Sequence, residues 1–291
     1  MPSGIVLGVA TAVAWGSSDF LARFASRSVG SARALLGMQA WGLLFITILM
    51  VFSRDWGHLF DGSGWQPWAW GILAGVITTS AMLALYRAFE IGKLALVGPV
   101  SASYPALTVI LSLLSGERLS LHRAVGIVAA LLGVILVAAG EKTSSDAGAE
   151  KSRVTAGLGW AIAAAFGFAI VFWLLGIRVI PRAGAVATVW LIRITGLLIT
   201  LTVVLVRKIP LRIKSKRTRA QLYTMGFFDT GAFAFSNLGM RVEQTAIVTV
   251  LGSLYGAVTV AFAAIFLKER IAPLQWLGIA SIFLGVALIN T

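Results

Sequence analysis

Apolar runs of roughly 18–24 residues, each long enough to cross a bilayer core of about 30 Å as a helix, follow one another along this chain. Lipid offers the backbone no hydrogen-bonding partner, so a spanning segment is either a helix or part of a closed barrel. A barrel needs alternating segments of about ten residues, and none is visible. Composition agrees. Only 12% of the 291 residues are charged, about half of the ~25% that solvates an ordinary globular domain. The chain therefore reads as an all-α integral membrane protein. Ten transmembrane helices are expected at about 4–25, 31–52, 67–89, 94–115, 121–140, 155–179, 184–206, 222–241, 244–267 and 273–290.

The opening Met1-Pro-Ser-Gly has no basic n-region, so no cleavable signal peptide is expected and the first apolar segment should stay as a helix. Cysteine is absent, which rules out disulfides. Two polar stretches stand out. Residues 141–154 are rich in Ser, Gly and charge and read as a linker. Arg207–Arg219 carries seven Lys or Arg and no acid.

The linker separates two halves, 1–140 and 155–291, that resemble each other. Ala14-Trp15-Gly16 recurs as Ala165-Phe166-Gly167, and Tyr104-Pro105-x-x-Thr108 as Tyr255-Gly256-x-x-Thr259, both at an offset of 151. Glu117-Arg118 recurs as Glu269-Arg270 at 152, and Gly42-Leu-Leu as Gly196-Leu-Leu at 154. Five helices is an odd number, so the second copy must enter the membrane upside down. Inverted repeats of this kind place the substrate near mid-membrane, between the halves of a secondary transporter.

The five-helix repeat, Trp15-Gly16, Ser101-x-x-Tyr104-Pro105-x-x-Thr108 and Gly116-Glu117-Arg118 together resemble the drug/metabolite transporter superfamily, in particular its EamA-type branch. The resemblance covers essentially the whole chain. It implies two inverted five-helix repeats around a central cavity, and export of amino acids, metabolites or drugs, with import in some members. The second copy departs from the pattern, with Gly256 in place of Pro and Lys268 in place of Gly. A gentler bend in the ninth helix than in the fourth is the expectation.

Seventeen Lys or Arg fall on the side holding loops 1–2, 3–4, 5–6, 7–8 and 9–10, against six on the other. The positive-inside rule then makes the first side cytoplasmic, including the basic loop 207–219, and puts both termini in the periplasm. The resemblance implies the opposite, cytoplasmic termini. The net charge of +13 lies at helix ends and in loops. It suits anionic lipid headgroups in the inner membrane rather than nucleic acid.

Ionisable groups inside a bilayer are costly and face a partner, water or the bundle interior. Asp19 and Asp229 lie at roughly 8–10 Å from the same face by helical rise. They are candidates to bind a cationic group or a proton. Arg23 follows Asp19 by one turn and offers a local ion pair instead. Arg193, nearer mid-membrane, could hold a substrate carboxylate with two parallel hydrogen bonds or serve as counter-ion to an acid. Gln39 occupies the equivalent place in the first half. Tyr86 and Asn237 are related by 151 and either line the cavity or bridge helices. Gly98-Pro99 and Tyr104-Pro105 interrupt the fourth helix, which frees carbonyls that must find protein, water or ligand. Ser101, Tyr104, Ser253 and Tyr255 lie at this break or its repeat and could offer hydroxyls. Trp15, one turn before Asp19, could hold an ammonium by cation–π attraction or simply pack.

A secondary transporter of a small organic solute (an amino acid, an amine or a related metabolite), moving it outward by alternating access, is the leading expectation. No Gly-x-x-x-x-Gly-Lys-Ser/Thr loop is present to drive it with ATP, and no motif requires a cofactor. A passive facilitator or channel is the alternative. An integral-membrane enzyme is weaker, since His58 and His122 show no metal-like spacing. Proton coupling, and a monomer against a homodimer, stay open.

Overall fold

The computed structural model describes residues 3–92, 97, 100–139, 149–267 and 273–289, and every described element is helical. In chain order these are α1 (Gly4–Val29), α2 (Ser31–Ser53), α3 (Gln66–Ile91), α4 (Tyr104–Leu114), α5 (Leu121–Ala139) and α6 (Ala149–Leu174). A π-helical turn at Leu175–Val179 leads into the short α7 (Ile180–Ala183). Then come α8 (Ala185–Val206), α9 (Lys216–Val242), α10 (Thr245–Gly252), α11 (Tyr255–Leu267) and α12 (Pro273–Ile289). Five helical stretches are long and apolar enough to cross a membrane: Gly4–Val29, Ser31–Ser53, Gln66–Ile91, Gly157–Ala183 and Ala185–Val206. The protein is a multi-pass membrane protein. The helix of the second half begins at Ala149, inside the stretch expected as linker.

Local sequence sets the helix ends. Ser3 caps α1 by accepting from the Val6 N–H, and Ser215 caps α9 by accepting from Thr218. Gly30 and Gly184, at φ 84° and 89°, join α1 to α2 and α7 to α8. That backbone conformation is open to glycine at little cost, and the two glycines stand at equivalent places in the halves.

The packing exchanges partners between the halves. A Cβ on Gly37 would strike Leu222, and one on Gly71 would strike Leu191, which are the same pair with the copies interchanged. Gly75 against Thr195 and Gly226 against Trp41 are interchanged in the same way. So are Gly42, which meets Thr230 and Arg193, and Gly196, which meets Thr79 and Gln39. Equivalent positions also meet directly: Gln39 bonds Arg193, and Ser281 donates to the Ala129 carbonyl, joining α12 to α5.

The helix break before Tyr104 recurs before Tyr255 with the same hydrogen bonds. Ser103 N–H donates to Val100 O and Ala106 N–H to Ser103 O, and Leu254 and Ala257 repeat the pattern with Leu251 and Leu254. The second break adds a bond from the Gly256 N–H to Ser253 O at 3.4 Å, which Pro105 cannot make. The tight three-residue turns persist without a proline. Gly98-Pro99 lie outside the described residues.

Candidate functional site

The two breaks converge on one cavity. Its wall is built from Trp15 and Asp19 of α1, Met82 and Leu85 of α3, Tyr104 of α4, Phe168 and Phe172 of α6, Asp229 and Phe233 of α9, and Tyr255 of α11. Met82 and Phe233 are repeat equivalents, as are Tyr104 and Tyr255, so both halves face the same space. The cavity holds about 30 Å³, room for one or two waters and too little for an organic solute. The site is collapsed in this conformation.

Aromatic rings brace one another around it. Trp15 meets Phe172, Phe233 and Tyr255 edge-on at centroid separations of 5.3, 5.2 and 6.4 Å. Phe172 stacks on Tyr104 at 5.1 Å and on Phe233 at 5.9 Å. Such edge-to-face and offset pairs contribute ~0.5–1.5 kcal/mol each beyond simple burial.

The two carboxylates differ. Asp229 is fully buried and forms an ion pair with the Arg193 guanidinium. Arg193 Nη1 also donates to Gln39 Oε1 at 3.0 Å and approaches Met38 Sδ at 3.4 Å. The guanidinium stacks over the Phe233 ring at 5.1 Å. Arg193 thus sits behind Asp229 and Phe233 rather than in the cavity wall, as counter-ion to an acid rather than holding a substrate carboxylate. The Trp15 side chain lies beside the Asp229 carboxylate, while Asp229 Oδ1 has no hydrogen-bond partner. Asp19 is buried at 5% exposure yet makes no hydrogen bond or ion pair among the described residues. Its expected local partner, Arg23, lies over the Phe24 ring instead.

Of the residues singled out in the sequence, Trp15, Asp19, Tyr104, Asp229 and Tyr255 line the cavity. The others stand behind it. Ser101 shares a hydrogen bond of 3.1 Å with the Tyr255 hydroxyl, and Gln39 supports Arg193. Asn237 donates to the Ala185 carbonyl at 3.0 Å, bridging α9 to α8, and Ser253 donates to Val250 O at 2.7 Å within its own turn. Tyr86 is buried within electrostatic reach of Asp229, Asp19 and Arg193, its hydroxyl unpartnered. Met82, Leu85, Phe168, Phe172 and Phe233 were not foreseen. Two signals pointed to them: Phe168 and Phe172 are one turn apart, and Met82 and Phe233 each precede Tyr86 and Asn237 by one turn.

Residues 2–139 and 155–291 each match the EamA-like transporter family, one copy per half. The chain belongs to the EamA-like transporter family. It is accordingly a membrane transporter, and the two matches bracket the duplication seen in the packing. An uncharacterized protein of Methanocaldococcus jannaschii is 28% identical over 138 residues, covering 47% of this chain and 97% of that protein. A solved crystal structure shares the fold, with a TM-score of 0.78 over 98% of this chain and 95% of that one at 18% identity.

Proposed function

We propose that this EamA-like transporter moves a small organic amine, in its cationic form, by alternating access between two inverted five-helix halves. The observation that carries the reading is Asp19, a buried carboxylate without a hydrogen-bond or ion-pair partner among the described residues, facing a cavity walled by six aromatic rings. A charge taken out of water needs an opposite charge or a proton beside it. Ring faces add ~2 kcal/mol to a desolvated ammonium. An amino acid would also need a base for its carboxylate, and the guanidinium nearest the cavity is occupied by Asp229. The amine therefore fits better than the amphoteric solute.

Three features support the transport mechanism. Packing contacts interchange between the halves, as a two-fold axis in the membrane plane requires of inverted repeats. The archaeal relative is about one half long, in keeping with a duplicated unit. The cavity is too small for its solute, so loading requires its walls to move, as relative motion of the halves would provide. An amine and a proton compete for Asp19, which couples outward movement of the amine to an inward proton. The charge of residues 207–219 supports a cytoplasmic face for that side of the protein in the inner membrane.

Uptake of labelled hexylamine into proteoliposomes, with and without an imposed pH gradient, tests this. Gradient-driven accumulation that disappears in Asp19→Asn is expected. Equilibration indifferent to the gradient would make the protein a facilitator, and transport of neutral or anionic solutes alone would sink the amine reading.

A further inference from the structure

The halves are alike in packing but not in charge. At the axis Arg193 meets its own equivalent, Gln39, at 3.0 Å. Asp229 has Thr78 as its equivalent at the offset of 151, and Asp19 has Ile170. Both Thr78 and Asp229 are fully buried. The packing itself requires neither Arg193 nor Asp229, because Gln39 and Thr78 fill the equivalent buried places in the first half without charge. The second half therefore carries an added plus and an added minus, placed against each other.

We propose that Arg193 sets the charge of the solute that the cavity accepts. Asp19 and Asp229 both line the space, and two bare carboxylates would suit a dication or two separate cations. Arg193 neutralises Asp229 from behind, with Phe233 between the guanidinium and part of the cavity. The remaining net charge of the wall is the single negative charge of Asp19. Such a site takes one positive charge at a time, since a second would sit in low dielectric without a partner. Gln39 helps fix this state by accepting from Arg193 Nη1. The inference rests on the amine reading above and adds the valence of the amine.

The test compares hexylammonium with hexane-1,6-diammonium, binding each to purified protein by calorimetry. Wild type is expected to prefer the monoamine by roughly tenfold or more. Arg193→Gln copies the first half's residue and exposes the Asp229 charge, so its preference should invert towards the diamine. The double variant Arg193→Gln with Asp229→Thr removes both added charges, and its preference should return to the monoamine. An unchanged monoamine preference in Arg193→Gln overturns the proposal while leaving the amine reading intact. Binding of neither amine to wild type overturns both. Should Arg193→Gln fail to fold, Asp229→Thr decides: it leaves the Arg193 charge to offset Asp19, so binding of hexylammonium should be lost, and an unchanged monoamine affinity overturns the proposal.

Discussion

Burying a guanidinium costs several kcal/mol unless its charge and N–H groups are matched. Arg193 meets most of that need through Asp229, Gln39 and the Phe233 ring, with only Nε left unpartnered. The pair is therefore better explained as a coupled unit than as a stabilising extra. Arg193→Leu alone should cost ~3–5 kcal/mol by leaving a bare buried carboxylate. Adding Asp229→Leu should recover most of the loss. Chemical denaturation in mild detergent measures these losses together with that of Asp229→Leu alone, and a double-variant loss equal to the sum of the two single losses would show that the side chains act independently. Asp19 follows the opposite logic. It has no partner to lose, so Asp19→Asn should leave stability within ~1 kcal/mol of wild type while removing amine binding.

At the scale of helices, the halves are held by small residues whose partners interchange. A methyl on Gly75 would lie 2.6 Å from Thr195 Cβ, and one on Gly226 would lie 2.7 Å from Trp41 Cβ. Both are too close for real Cβ contacts, so backbone must move, at a cost of ~1–3 kcal/mol. Because the contacts are equivalent, Gly75→Ala and Gly226→Ala should lower the melting temperature by similar amounts. A large effect at one and none at the other would break the equivalence. The all-helical class and the two-fold repeat were legible in the sequence because each leaves a spacing. The full interruption between Gly252 and Tyr255 was not, since no proline marks it. The π-helical turn at Leu175–Val179 was equally hidden. There the Ile180 N–H reaches Leu175 O, five residues back, immediately before Pro181, which has no N–H to give. The site was half legible for a related reason. Charged and tyrosine positions stand out in an apolar helix, whereas Phe168, Phe172 and Phe233 look the same whether they face lipid or a cavity.

Across the whole molecule, the halves touch through polar groups at one end. Glu117 accepts from the N–H groups of Thr245 and Ala246 at 3.3 and 3.2 Å, capping α10 from the other half. Arg123 pairs with Glu243 at 3.1 Å, and Gln244 donates to the Arg118 carbonyl at 2.7 Å. The proposed alternating access requires this cluster to separate. Glu117→Gln weakens a charged cap by ~1 kcal/mol, which should raise exposure of the cavity to that side about fivefold. The chain has no native cysteine, so the labelling rate of Met82→Cys by an impermeant thiol reagent reads the change directly. An unaltered rate would mean that the cluster does not gate the cavity. The central claim concerns the cavity itself, and equilibrium binding of radiolabelled hexylammonium to wild type and Asp19→Asn tests it most directly. One amine bound per chain, displaced as the pH falls and lost in Asp19→Asn, is the predicted result; equal affinity of the two proteins for the amine would contradict the account.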